Sequence, residues 1–130
     1  MQKRSNVGAT VGRAGVEALL PVRPAAFAVL AALGDAPRPG FEILERVNAS
    51  VRSRPLLGPG TLYRLMRELR RAGWIERTTV PRGAEGGEDE RRQYHALTPL
   101  GRQILKAEAT RLQRAMAMAG LMDDPHGAAG

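Results

Sequence analysis

Apolar positions recur along this chain in blocks that are separated by strong punctuation. Pro24 suits the first turn of a helix, and Ala25, Ala26, Phe27, Val29, Leu30, Ala32 and Leu33 follow as an almost unbroken apolar segment closed by Gly34. Such a helix has to be buried nearly all round. A second helix starts near Pro39 or Gly40, with Phe41, Ile43, Leu44 and Val47 on one side and Glu42, Glu45 and Arg46 on the other, and fades across 50–55. The third has the clearest boundaries: Gly58 as N-cap, Pro59 at the first helical position, a body from Thr61 to Ala72, and Gly73 as a left-handed stop. Residues 74–80 are β-branched and aromatic enough for a short strand that Pro81 ends. Residues 82–90 mix glycine with charge as a mobile hairpin tip, and 91–97 return as a second strand. Thr98-Pro99 then opens a long helix over 100–122, with Gly101 near its entry.

The ends of the chain lack such a period. Residues 1–15 read as a flexible basic arm, with a short helix near 16–20 available to pack on a partner, and 123–130 read as a polar tail. There are no internal repeats. The order is mainly α with a small β-hairpin, that of a winged helix-turn-helix with a long C-terminal dimerisation helix. The expected organisation is an arm (1–15), a winged helix-turn-helix DNA-binding domain (16–97), a dimerisation helix (98–122) and a tail (123–130). Along that last helix Leu105, Leu112, Met116 and Ala119 form a stripe longer than a small core covers, which predicts a dimer interface.

Composition narrows the chemistry. The 130 residues carry 20 Lys+Arg against 13 Asp+Glu, a formal charge of +7, so an anionic partner is expected. There is no cysteine, which removes disulfides, thiolate metal sites and thiol nucleophiles. His95 and His126 lie far apart with no metal-ligand spacing, and Ser5, Ser50 and Ser53 sit in no nucleophile-elbow context, so neither a metal, a cofactor nor an enzymatic activity is expected. No stretch approaches the ~18–20 apolar residues of a membrane span, and the basic N-terminus has no signal-peptide core, so the expected setting is the cytoplasm, away from membranes.

The third helix carries the informative pattern. Leu62, Leu65, Met66 and Leu69 follow the spacing of a buried stripe, which turns Tyr63, Arg64, Arg67, Arg70 and Arg71 to solvent with only Glu68 among them. A guanidinium forks onto phosphate or onto the O6 and N7 acceptors of guanine, and a helix fits the ~12 Å major groove of double-stranded DNA. Gly60 allows close approach of a phosphate at the helix start, and Thr61 and Tyr63 offer hydroxyls. Arg82, Arg91 and Arg92 supply cations on the predicted wing, although Glu85, Glu88, Asp89 and Glu90 outnumber them. Taken alone, such a helix also reads as an ordinary amphipathic one with a solvated face. Trp74, Tyr94 and His95 read as packing or surface residues with no assigned chemistry.

Three segments together resemble the PadR-like transcriptional regulators of bacteria: GPGTLYRLMRELRRAGWIE (58–76), DERRQYHALTPLGRQIL (89–105) and, more weakly, VLAALGDAPRPGFEIL (29–44). The resemblance runs from about Leu20 to Leu121. It implies a homodimeric winged-helix DNA-binding protein, usually a repressor, with the helix from Pro59 in the major groove and Thr61, Tyr63, Arg64 and Arg67 facing it. It further implies dimerisation through the last helix on the partner's N-terminal helices, and a small aromatic or hydrophobic effector for which Leu112 and Met116 would line a crevice. This chain has Pro39-Gly40-Phe41 where the family often has His-Gly-Tyr, and Gly58 where many members have Ser. A repressor on a palindromic operator is the expected function. A winged-helix module docking an acidic protein is the alternative.

Overall fold

A computed structural model describes residues 11–79 and 93–124. Helix α2 (Pro24–Ala32) begins on its proline and buries Ala26, Val29, Leu30 and Ala32, as its unbroken apolar character requires. Helix α3 (Gly40–Ala49) buries Ile43 and Val47, and α4 (Pro59–Ala72) buries Leu62, Leu65, Met66 and Leu69. These side chains share one core with Leu33, Ile75, Leu97 and Ile104. The turn between α3 and α4 is held by one side chain: Asn48 Oδ1 accepts from the N–H groups of Leu56 and Leu57 at 2.8 Å each, and its Nδ2 donates to the Leu57 carbonyl at 2.9 Å. That amide satisfies backbone groups that the turn leaves without helical partners.

Helix α4 stops at Gly73, which adopts φ 81° as the sequence requires, with Trp74 N–H reaching back to the Leu69 carbonyl at 3.0 Å. The chain then runs into β2 (Ile75–Thr78), which pairs antiparallel with β3 (Tyr94–Leu97). A further strand, β1 (Arg38–Pro39), pairs with the other side of β3 and gives the order β1-β3-β2. The sequence pattern predicted only the hairpin. A two-residue strand that contains proline has no period of its own and exists because β3 offers it an edge. The predicted strands shorten to four residues each, and the expected hairpin tip lies outside the described residues.

Helix α5 (Pro99–Met118) starts at a tightly bonded joint. The Thr98 hydroxyl caps it by accepting from Gly101 N–H at 3.0 Å and donates to the Gly73 carbonyl at 2.5 Å, while Thr98 N–H donates to the Trp74 carbonyl at 3.1 Å. Gly101 is required here, because a Cβ at this position would drive into the Trp74 carbonyl oxygen. The helix ends at Ala119 and Gly120, the latter at φ 78°, short of the expected Met122.

The first half of α5 buries Ile104 and Glu108 against the rest of the chain. The carboxylate of Glu108 accepts from Arg111 Nε (2.7 Å) and Nη2 (2.8 Å) and from Val22 N–H (3.2 Å), which ties the start of α2 to α5. Helix α1 (Arg13–Glu17) begins inside the stretch expected to be an arm: Val16 is 4% exposed, and Val11 exchanges two backbone bonds with the Gln103 side chain. A single buried apolar residue among Gly, Ala and Arg leaves no helical period to read, and the contact that orders the segment is with residues more than 80 positions away. Residues 1–10 and 125–130 are outside the described residues.

Candidate nucleic-acid interface

Helix α4 separates its two faces cleanly. Its buried stripe fixes it to the core, and Gly60, Thr61, Tyr63, Arg64, Arg67 and Arg71 are all exposed. The first helical bond runs from Leu62 N–H to the Gly58 carbonyl (3.0 Å), so the N–H groups of Gly60 and Thr61 precede it and point out of the helix start. A Cβ at Gly60 would meet nothing within 4 Å, so the packing of this chain does not demand the glycine. Gly40 is different. A Cβ there would lie 2.7 Å from the Tyr63 ring, so the bare backbone of α3 is what lets Tyr63 lie across its start while remaining 46% exposed.

Electrostatics sharpen the arrangement. The one acidic residue on α4, Glu68, pairs with Arg23 at the start of α2 (3.2 Å), not with its helical neighbours. Among the described residues no carboxylate pairs with Arg64, Arg67 or Arg71. Arg70 departs from the expected row. It is only partly exposed and donates from Nη1 to His95 Nε2 on β3 at 3.2 Å. Helical periodicity counted it with the solvent face because that count is blind to a sheet lying against the flank of the helix.

Around this pair lies a cleft of about 600 Å³ between the start of α3, α4 and the sheet, bordered by Phe41, Tyr63, Arg67, Arg70, Arg77 and His95. His95 is 3% exposed, and burial together with the charges of Arg70 and Arg77 pushes its pKa down to about 4. The ring is therefore neutral at physiological pH. Burial, and the nearby charges of Arg77, Arg67 and Arg71, lower the Arg70 pKa from its ordinary value. Arg77 stands opposite His95 in the β2–β3 register, on the same face of the sheet. Arg77 and His95 thus join the candidate site without having been assigned to it from sequence, and Arg70, expected on the solvent row, joins it from the flank of the helix. Arg52 and Arg54, exposed in the turn that leads to α4, add further cations, and their place in a helix-turn-helix turn was a legible signal.

Of the remaining expected site residues, Arg82, Arg91 and Arg92 lie outside the described residues. Along α5, Leu105 is partly buried against its own chain beside Gly34, Leu112 is half-buried, and Met116 and Ala119 are exposed. The end of α5 presents Met118 and Leu121 at 84% and 75% exposure. A second cavity of about 550 Å³ opens between α2, α3 and α5, where Phe27, Leu56 and Leu112 supply apolar wall and Arg46 and Arg111 supply charge. Among the described residues no cluster of three or more His, Asp or Glu is placed to hold a metal ion, and no helix is long and apolar enough to cross a membrane.

Over residues 29–107 the sequence matches the model of the transcriptional regulator PadR-like family. Comparison with curated proteins finds no match. The structure is similar to that of a PadR family transcription regulator from hypervirulent Clostridium difficile, with a TM-score of 0.60 and 19% identity over 75% of this chain and 98% of that one. It is also similar to a transcriptional regulator from Clostridium thermocellum (TM-score 0.57, 18% identity, 88% and 99% covered). A third similar structure is the transcriptional regulator BldR from Sulfolobus solfataricus (TM-score 0.57, 21% identity, 97% and 78% covered). At these identities the likeness is one of fold: helices around a small antiparallel sheet, with a long helix after it.

Proposed function

The chain belongs to the PadR-like family of transcriptional regulators and is a DNA-binding regulator, and from that premise we propose that it is a cytoplasmic repressor that binds a two-fold symmetric operator as a homodimer. Helix α4 enters the major groove. Thr61, Tyr63, Arg64, Arg67 and Arg71 face bases and phosphates, and the bare backbone at Gly60 lets a phosphate approach the helix start. By their place in the sequence between the strands, Arg82, Arg91 and Arg92 meet the flanking backbone. Leu105, Leu112, Met116 and Ala119 on α5 pack with the second copy, and the apolar end of that helix supports this reading. The cavity beside Leu112 supports release by a small aromatic or hydrophobic effector.

The observation that carries the reading is the exposed cation row on α4, whose lone acidic neighbour is turned away to Arg23. The test is a gel shift on DNA upstream of the protein's own gene, with excess competitor and ~150 mM salt. Wild type is expected to shift its operator selectively, and Arg64→Ala and Arg67→Ala to weaken the complex. Variants that bind like wild type would remove α4 from the interface.

A further inference from the structure

Arg70 is the observation from which a second role for this face follows. Among the described residues Arg38, Arg70 and Arg111 are held by part-buried side-chain bonds, and their partners differ in kind. Arg38, whose side chain is 12% exposed, is met by Asp35 (2.9 Å) and Glu42 (3.3 Å), and Arg111 is met by Glu108 (2.7 Å). Both charges are compensated within the chain. Arg70 is given His95 instead. A guanidinium has only donors, so His95 Nε2 accepts with its lone pair, the ring proton sits on Nδ1, and the ring is neutral. Burial, and then the charges of Arg77, Arg67 and Arg71, lower the Arg70 pKa from its ordinary value, and among the described residues none of the four makes an ion pair with a carboxylate. Like charges gathered at a partly buried place repel unless an anion joins them.

We infer that the cleft between α4 and the sheet is a clamp for one phosphodiester of the DNA backbone, gripped by Arg67, Arg70 and Arg77, with His95 as the positioning residue that holds Arg70 toward it. The inference rests on α4 being the DNA-binding face. Arg70 spends one of its five donors on His95 and keeps the rest for an oxygen ligand, and a guanidinium fork matches two phosphate oxygens. Arg70 is tethered to β3 and only partly exposed, whereas Arg67 is exposed, so the ligand of Arg70 is the backbone and not a base edge. Tyr63 and Arg67 border the cleft and also belong to the exposed face of α4, so one duplex touches both surfaces. An imidazole suits the positioning role because a carboxylate in its place would neutralise the cation that the phosphate needs.

The test measures affinity against salt for the operator and for a scrambled duplex, with the full chain. Arg70→Ala and Arg77→Ala are expected to weaken both duplexes by the same factor and to reduce the steepness of log K against log salt by at most about 0.9, singly or together, because they share one phosphate contact. Arg64→Ala is expected to lower the preference for operator. His95→Gln keeps an acceptor at the Nε2 position and is expected to retain the wild-type slope, whereas His95→Leu loses it although Arg70 is intact. Thermal melting identifies a His95→Leu protein that fails to fold, in which case Arg70→Ala and His95→Gln decide. Inorganic phosphate at constant ionic strength is expected to leave wild-type affinity unchanged. Wild-type slopes in Arg70→Ala and Arg77→Ala, a loss of operator preference in either, or displacement of DNA by free phosphate would each overturn the clamp while leaving the regulator reading intact. A wild-type protein that binds no duplex at any salt overturns both.

Discussion

Replacing Arg111 by alanine tests how the first half of α5 is fixed to the helix-turn-helix. The change removes two bonds, at 2.7 and 2.8 Å, from the Glu108 carboxylate, whose side chain is 1% exposed, and leaves it with only the Val22 N–H at 3.2 Å. Leaving the buried Glu108 carboxylate without those donors costs about 1–3 kcal/mol at neutral pH, and because Arg111 is itself 44% exposed, water replaces part of what the guanidinium gave. In the wild type the hydrogen bonds from Arg111 hold the Glu108 carboxyl below its ordinary value. The stabilisation is therefore present above the unfolded value and is lost as pH falls through the folded one. In Arg111→Ala the main lowering influence is gone and burial raises the carboxyl instead, so the folded variant binds a proton more readily than its unfolded chain. The deficit relative to wild type should shrink on acidification. Urea unfolding followed by Trp74 fluorescence at neutral pH and at about pH 4, below the ordinary carboxyl value, measures it. A deficit below about 1 kcal/mol, or one that does not change with pH, would refute the idea that Glu108 is a buried anion compensated by Arg111. Joint replacement of Glu108 and Arg111 by leucine should recover most of the loss.

Other outcomes follow from the same structure. Gly101→Ala forces a side chain into the Trp74 carbonyl and should cost about 3 kcal/mol or more, seen as a lowered melting temperature. His95 is held near a pKa of about 4 against an ordinary 6.5, so its unfolded form takes up a proton first and stability falls as pH drops from 6.5 toward 4. The full loss is about 3 kcal/mol, and a His95→Gln protein compared with wild type across that range should lack it. Asn48→Ala leaves the Leu56 and Leu57 backbone groups without their partner and should cost about 1–3 kcal/mol, with earlier proteolysis of the turn before α4.

Much of this molecule is written in punctuation. Pro24, Pro59 and Pro99 mark the starts of α2, α4 and α5 because the fixed φ of proline suits a first helical turn, and Gly73 marks the end of α4 because glycine takes the left-handed conformation there without strain. The buried stripe of α4 was legible because its period is strong and its polar face is almost all arginine. What escaped was set by partners distant in sequence. β1 exists through its pairing with β3, the start of α1 at Arg13, ahead of the short helix expected near 16–20, through Val16 and the Gln103 bonds to Val11, and the inward turn of Arg70 through His95, 25 residues away. Gly120 had the character of a helix stop, and its φ of 78° is where α5 leaves its course before Met122. No single-chain pattern distinguishes Leu105, which rests on its own core, from Met116, which does not.

The joint at Thr98 has a mechanical meaning. One threonine is bonded both to the carbonyl that closes α4 and to the amide that opens α5, and Gly101 leaves no slack between α5 and the carbonyl of Trp74. The end of α4 and the start of α5 are therefore pinned to one another through a single side chain. With 14 residues at ~1.5 Å each, α4 is about 21 Å long, so a ~10° tilt of α4 about that joint carries its far end through about 4 Å, close to the ~3.4 Å rise of a base step. In the proposed dimer, a small change in how the two copies of α5 cross would thereby be geared into a whole-step change in the spacing between the two copies of α4.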